Sequence, residues 1–567
     1  MLKKLYLPFL LVLVAAFTSC SSKMGELSSD YFTTTPQVLE AVGGKVDVTI
    51  NGKFPEKYFK KKAVVKVTPV LRWNGGEARG ESATFQGEKV KGNDQTIYYK
   101  AGGNYTMKTS FDYVPEMAKS ELYLEFDAKV GKKTVAIPAV KIADGVIATS
   151  ELVKNTLANA NTTNGEDAFQ RVIKQAKDAN IMFLIQQANL RSSELKSDAL
   201  KEFNETVKDV NADQKGKLME NIEITAFASP DGGVELNDKL ASQRQKNTEN
   251  YLAKQLKKEK IETSVDAKYT AQDWEGFQEL VSKSDIQDKD LILRVLSMYQ
   301  DPEQRETEIK NISSVFKNLA DDILPKLRRA RLTLNYQLIG RSDDEILAAI
   351  KNEPKVLNVE EILYASTLVD SDAEKEAIYK LAVQNFPSDY RAYNNLGELA
   401  YKAGKYDQAE SYFKTALQKN PSSVEANTNL GLVSLIKGDK AAAQAYLGKG
   451  AGAASLNEAF GNYYIAEGQY ERAVSSFGDV KTNSAALAQI LTKDYNRAKS
   501  TLEGVKNPDA YTAYLSAVLG ARTNNAAMVI SNLKTAVAKD ASLAKKAAND
   551  LEFAKYATNA EFQSIVK

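Results

Sequence analysis

Between Tyr393 and Phe477 the chain repeats itself. Tyr393, Leu396, Gly397, Ala409, Phe413, Ala416 and Pro421 form one set of positions. Asn427, Leu430, Gly431 and Ala443 recur in phase about 34 residues further on. A third set, Phe460, Gly461, Tyr464, Ala473 and Phe477, is displaced by a shortened second half. Small residues at fixed places let two helices cross closely, and large ones fill the gaps between neighbours. A unit of this kind buries its apolar face only against the next unit. This stretch is therefore expected to stack helical hairpins into a solenoid.

The spacing resembles the tetratricopeptide (TPR) repeat. Tyr379, Ala382 and Pro387 fit the second helix of an earlier unit, and Tyr495, Ala498 and Leu502 fit a later one more loosely. One unit is near consensus and the rest are degenerate, roughly five or six in all. The resemblance spans residues 341–567 and implies an all-α solenoid whose concave groove holds a peptide or helix of a protein partner. Asn394, Asn395, Asn427 and Asn429 fall on first helices, which line that groove. Asparagine there can hydrogen-bond a peptide backbone without reading its sequence. Simple solvation of the four is the competing reading.

A second signature lies at Ile222 to Leu252. Alternating apolar residues through Ile222 and Ile224 predict a half-buried strand, and Pro230-Asp-Gly-Gly233 predicts a turn. Leu236, Leu240, Tyr251, Leu252 and Leu256 then recur at near-helical spacing. Gly232, Asn237, Leu240, Arg244, Tyr251 and Leu252 all fall on the signature of the OmpA-like (OmpA C-terminal) domain, which this stretch resembles. That resemblance implies strand, helix, strand, helix, strand, with helices on one sheet. It also implies binding of the diaminopimelate peptide of peptidoglycan, an acid taking its ammonium and an arginine its carboxylate.

Arg244 matches that arginine, whereas Ser229 stands in the place of the aspartate and Ala226-Phe227 replaces a Gly-His pair. Asn237 sits on a signature position. Asp231, two places further, substitutes for the acid only if the turn is rearranged; otherwise it is a solvated turn residue. Arg244 is either a carboxylate ligand or a structural arginine, and the sequence leaves both open. The domain is placed at 165–340. Its expected elements are a strand at Ile181–Ile185, a helix from Ser193 to Val210, an inserted helical hairpin at about 273–323, and a last strand at Arg329–Tyr336.

Upstream, residues 41–150 alternate in short runs: Val46–Ile50, Ala63–Leu71, Thr96–Tyr99, Tyr105–Phe111, Glu121–Phe126 and Thr134–Ile137. Turn signals at Asn51-Gly52, Asn74-Gly75-Gly76, Gly102-Gly103 and Val130-Gly131 separate them. The pattern suggests a β-sandwich of immunoglobulin-like type. Trp73, Tyr98 and Tyr99 are either a surface patch or cross-strand pairs and core.

The chain begins Met-Leu-Lys-Lys, followed by an almost wholly apolar Leu5 to Phe17, too short to span a bilayer. Phe17-Thr-Ser-Cys20 resembles the lipobox of bacterial lipoproteins, and Cys20 is the only cysteine. The resemblance implies a signal peptide at 1–19 and a lipidated Cys20 heading a flexible tether at 20–40. Ser21 follows the cysteine where an inner-membrane retention signal has aspartate. An outer-membrane lipoprotein facing the periplasm is therefore expected.

With no histidine in 567 residues, imidazole metal sites and Ser-His or Cys-His catalysis are excluded. A balance of 75 basic and 73 acidic residues gives no case for nucleic acid. The expectation is a multidomain, non-enzymatic envelope scaffold without metal or cofactor. It would hold outer-membrane or periplasmic proteins in its TPR groove. The alternative is a peptidoglycan-binding tether; a carboxylate-dependent envelope hydrolase is a third, weaker reading.

Overall fold

A computed structural model describes residues 24–286, 289–311 and 313–567. Signal peptide and Cys20 lie outside the described residues. The chain divides into two compact units: residues up to Glu166 together with Val369–Lys567, and Asp167–Leu368.

The first unit opens with two sheets around one core. β1 (Phe32–Thr35), β2 (Lys45–Phe54) and β7 (Gly103–Asp112) pair in the order β1-β2-β7. The other sheet joins β3 (Ala63–Trp73), β4 (Gly76–Arg79), β5 (Ala83–Gly87), β6 (Gln95–Ile97), β8 (Ser120–Val130) and β9 (Lys133–Gly145) in the order β6-β5-β3-β8-β9, with β4 beside β3. Strict alternation aims Val46, Val48, Ile50 and Phe54 of β2 and Leu122 and Leu124 of β8 into this core. Phe54 meets Phe59, Phe85 and Tyr105 at 5.0, 5.6 and 5.3 Å between ring centres.

Two expectations fail here. From Met24 onward the supposed tether belongs to the core: Met24, Leu27, Phe32 and Leu39 are all buried. Asn51-Gly52 is no turn but lies inside β2, where Gly52 pairs with Tyr105 of β7 and is glycine because the Tyr105 ring occupies the space a Cβ would need. Trp73 packs against the core and Tyr98 is exposed.

The C-terminal part of this unit is helical. Five hairpins follow one another: Tyr390–Lys402 with Tyr406–Lys419, Val424–Ile436 with Lys440–Leu447, Leu456–Ala466 with Tyr470–Phe477, Asn483–Leu491 with Tyr495–Glu503, and Ala510–Arg522 with Ala526–Lys539. Asp372–Asn385 precedes them, and Ser542–Asn549 and Ala560–Val566 close the end. Gly404, Gly438 and Gly468, at φ +71°, +79° and +73°, terminate three first helices in the left-handed conformation that glycine adopts most cheaply. The repeat's small-against-large logic is visible in the packing. A Cβ on Gly397 would lie 2.5 Å from the Phe413 ring, and one on Gly461 would lie 2.6 Å from Phe477.

The second unit is an α+β domain. β10 (Val172–Met182), β11 (Lys217–Phe227), β12 (Ser264–Thr270) and β13 (Arg329–Ile339) form one sheet in the order β10-β13-β11-β12. Helices Asp198–Ala212 and Val234–Glu259 bury Leu200, Phe203, Val207, Leu252 and Leu256 with Ile181, Ile222, Ile224, Leu332 and Leu334 of the strands. The first strand ends at Met182, and Leu184 and Ile185 are exposed, so the strand expected at Ile181–Ile185 is displaced upstream into polar sequence. β12 alternates polar Ser264, Asp266, Lys268 and Thr270 with apolar Val265, Ala267 and Tyr269, and no expected strand covers it.

The insertion is larger than a hairpin. Helices Trp274–Ser282, Lys289–Met298, Pro302–Asn311 and Ser313–Asp322 share a separate core that includes Phe277, Val281, Ile292, Leu296 and Leu327. Helices Asp343–Asn352 and Val359–Ala365, expected to start the solenoid, belong to this second unit. Tyr364 stacks on Phe169 at 4.5 Å and donates to Asp343 at 3.0 Å.

Overpacking a well-filled helix crossing costs about 1–3 kcal/mol. Gly397→Val is therefore expected to lower the stability of the first unit by that amount in urea unfolding. An unchanged midpoint would mean that the Gly397–Phe413 contact does not hold the first hairpin together.

Candidate functional site

The solenoid's first helices bring together a row of asparagines, and the chain's own residues 149–166 run along them. This strap begins as helical turns, Thr149–Leu152, Val153–Thr156 and Leu157–Asn159. Leu152, Val153 and Leu157 are buried within the solenoid's hydrophobic core. Each such burial contributes roughly 1.5–3 kcal/mol. The Tyr401 hydroxyl donates to the Leu157 carbonyl at 2.5 Å, and Ser484 and Thr156 hydroxyls meet at 2.7 Å.

From Ala160 to Glu166 the strap is extended and polar, a clasp held by hydrogen bonds. Asn429 takes both main-chain groups of Thr163: its Oδ1 accepts the N–H at 2.8 Å and its Nδ2 donates to the carbonyl at 2.9 Å. Asn395 does the same for Gly165, at 2.7 and 3.0 Å. Asn394 links the two, donating to the Thr163 carbonyl at 2.9 Å and to Asn395 at 3.1 Å while accepting from Asn429 at 3.0 Å. All three asparagines are buried, so the amides must be paired and the ladder satisfies them.

Side chains complete the grip. The Thr163 hydroxyl meets that of Ser455 at 2.5 Å. Asn161 donates to Glu458 at 3.0 and 3.2 Å, Asn164 donates to Glu398 at 3.2 Å, and Asn159 donates to Asp509. Burial pushes the Glu458 carboxyl above its ordinary range, and the Asn161 amide opposes that shift.

Three of the four expected groove asparagines thus contact a peptide backbone, and the peptide is the chain's own. Asn427 does not take part; its amide donates to the Ser423 carbonyl of its own helix at 2.7 Å. Sequence reasoning passed over Asn161, Thr163, Asn164 and Gly165. Their only signal is a run of small polar residues, Asn-Ala-Asn-Thr-Thr-Asn-Gly from 159 to 165, directly after the apolar Leu152, Val153 and Leu157.

In the second unit, Ser229, Asp231, Asn237 and Arg244 surround the turn after β11. Arg244 is almost fully buried, at 1% exposure. Its guanidinium donates to three carbonyls: Phe227 at 2.8 Å, Gln187 at 3.0 Å and Leu184 at 3.3 Å. It also lies 5.1 Å from the Phe183 ring. Burial, aided by the positive charge of Arg328, pushes the Arg244 pKa down to about 10. Asp231 pairs with Arg328 at 3.0 Å, and Arg328 also donates to the Ser229 hydroxyl at 3.1 Å. Asn237 donates to the carbonyls of Ser229 and Gly232 at 2.9 and 2.8 Å. All four expected ligands are brought together, and each is engaged inside the domain. Arg328, which no signature position flagged, supplies the countercharge for Asp231.

Among the described residues, no group of three or more acidic or cysteine side chains is placed to hold a metal. Among them too, no helix is long and apolar enough to cross a membrane.

Residues 394–457 match the family model of the tetratricopeptide repeat. No curated protein matches the chain. Solved structures resembling it include a tetratricopeptide repeat protein from Parabacteroides merdae, at 16% identity over 40% of this chain and 89% of that one, with a TM-score of 0.28. Others are YrrB, described as a TPR protein with an unusual peptide-binding site (19% identity, 36% of this chain, 100% of that one, TM-score 0.21), and the type IV pilus biogenesis factor PilW (18%, 40%, 89%, 0.22).

Removing the Arg244 guanidinium would leave three carbonyls without their donor. Arg244→Met is expected to destabilise the second unit by at least about 3 kcal/mol, since each of the three carbonyls left without its donor costs roughly 1–3 kcal/mol. Denaturant unfolding checks this. A variant as stable as the wild type would return Arg244 to the role of ligand.

Proposed function

We propose that this protein is a non-enzymatic adaptor of the bacterial cell envelope, anchored by lipid on Cys20 in the outer membrane and facing the periplasm. Its solenoid groove would take an extended segment of an outer-membrane or periplasmic protein. The observation that carries this reading is the row Asn429, Asn394 and Asn395, which grips the main chain of Thr163 and Gly165 through both N–H and C=O groups. Such a grip needs an extended backbone and little else, which suits protein capture rather than chemistry. The family match over 394–457 agrees with a protein-interaction module. The basic, apolar and Cys20-terminated N-terminal sequence supplies the case for the anchor.

In this reading the second unit is an OmpA-like domain: two helices lie on one face of its sheet, and Arg244 and Asn237 follow β11 as the signature requires. The alternative, a tether that binds peptidoglycan there, needs an arginine and an acid open to a ligand. Arg244 is occupied by three carbonyls and Asp231 by Arg328, which weighs against the tether.

The test is a crosslinked pull-down of the full chain from envelopes, with Asn394→Ala/Asn429→Ala as the comparison. Protein partners recovered with the wild type and lost with the double variant are expected. Equal recovery from both would remove the groove as the partner site. Cell-wall fragments that disappear with Arg244→Lys, in protein whose circular dichroism and unfolding midpoint match the wild type, would favour the tether. Cys20→Ser is expected to abolish palmitate incorporation and release the chain from the membrane fraction; retention would overturn the anchor.

A further inference from the structure

The two stretches of the strap are held by different forces. Leu152, Val153 and Leu157 cannot leave the solenoid core without exposing apolar surface to water. The clasp from Ala160 to Glu166 has no large apolar side chain, and its hydrogen bonds can be exchanged for those of another extended backbone at little net cost. The anchor is thus held by apolar burial and the clasp by hydrogen bonds alone.

What would replace it is written in the groove. The two asparagine pairs demand an extended main chain at Thr163 and Gly165. Position 165 admits only glycine, because a Cβ there would lie 2.9 Å from the Cβ of Arg391. Position 163 is buried and suits a small side chain. The outward positions 161 and 164 face carboxylates, Glu458 and Glu398, and offer them only neutral amides. Glu398 also pairs with Lys402 at 2.5 Å, whereas Glu458 has no cationic partner among the described residues. A lysine or arginine at the place of Asn161 would turn a neutral hydrogen bond into a charge-assisted one, which is about twice as strong.

We propose that the clasp 160–166 is an exchangeable stand-in, and that the groove's ligand in trans is an extended basic protein segment. That segment carries a glycine at the place of Gly165, a small residue at that of Thr163, and lysine or arginine at those of Asn161 and Asn164. The inference rests on the groove reading above and names the chemistry of its partner. Tethered at an effective concentration on the order of mM, the clasp excludes weak ligands and yields to one with better charge complementarity.

The test uses the full chain and two fluorescent heptapeptides, Ala-Asn-Thr-Thr-Asn-Gly-Glu and Ala-Lys-Thr-Thr-Lys-Gly-Glu, read by anisotropy. Gly165→Val opens the groove by expelling the clasp. The lysine peptide is expected to bind this variant about tenfold more tightly than it binds the wild type, and about tenfold more tightly than the asparagine peptide does. Adding Glu458→Gln and Glu398→Gln together should erase that preference. A folded Gly165→Val protein that binds neither peptide better than the wild type overturns the proposal.

Hydrogen exchange on the wild type gives an independent reading should the variant misfold. The Thr163 and Gly165 amides are expected to exchange well before global unfolding, and faster with the lysine peptide present. Exchange only through global unfolding overturns the proposal. Partners lost with Asn394→Ala/Asn429→Ala in envelopes, without peptide preference here, would sink the exchangeable clasp and leave the adaptor standing.

Discussion

An extended segment outside any sheet carries one donor and one acceptor per residue that must be paired when buried. In this protein the pairing between Thr163, Gly165 and the row Asn429, Asn394, Asn395 does that work. An asparagine side chain presents the same two groups as a peptide unit. One asparagine can therefore replace one rung of a β-ladder. The groove behaves as half of a sheet whose second strand is made of side chains. Alternation follows from Thr163 onward: Thr163 and Gly165 face inward, while Asn164 and Glu166 are exposed.

The register of this ladder cannot continue. Two residues of extended chain advance about 6.6 Å, whereas packed helices stand 8–10 Å apart, so roughly 2 Å of mismatch accumulates per hairpin. Asn395 and Asn429 match on adjacent hairpins, but the next hairpin contributes no third asparagine rung. There the contacts pass to side chains, Ser455 with Thr163 and Glu458 with Asn161. Beyond Ala160 the strap becomes helical and is held instead by Leu152, Val153 and Leu157. The change from polar clasp to apolar anchor is thus a geometric consequence of stacking hairpins against a straight strand.

The same contrast explains what was legible in the sequence. The hairpins follow from local periodicity: Gly397 against Phe413 and Gly461 against Phe477 are contacts within one repeat unit. The groove asparagines were legible as backbone binders because that role depends on their own helix. Their occupant was not, since the Asn429–Thr163 pairing joins residues far apart in sequence through polar groups that leave no hydrophobic pattern. Asn51-Gly52 misled because a local turn preference lost to a cross-strand ring, that of Tyr105. The tether expected at 20–40 misled because polar composition hid the few apolar residues, Met24, Leu27 and Phe32, that the core takes up. Arg244 was found at its signature position, but the carbonyls it engages, Phe227 at the end of β11 and Leu184 and Gln187 in the loop after β10, are brought to it by the fold and leave no sequence signal.

The order of elements has a further consequence for how the first unit forms. Its strap and its solenoid are separated in sequence by Asp167–Leu368, about 200 residues. Bringing the ends of such a loop together costs about 4–5 kcal/mol on the logarithmic law, and that cost rises only about 0.6 kcal/mol if the loop doubles. The clasp's hydrogen bonds, at about 1 kcal/mol net each, are taken up by ordering its seven extended residues at about 1–2 kcal/mol each, and leave little to offset closure. Three buried apolar side chains at roughly 1.5–3 kcal/mol each do. Closure therefore depends on Leu152, Val153 and Leu157, and the asparagine ladder forms on a strap already held in place. That division leaves the clasp open to exchange while the unit around it stays folded.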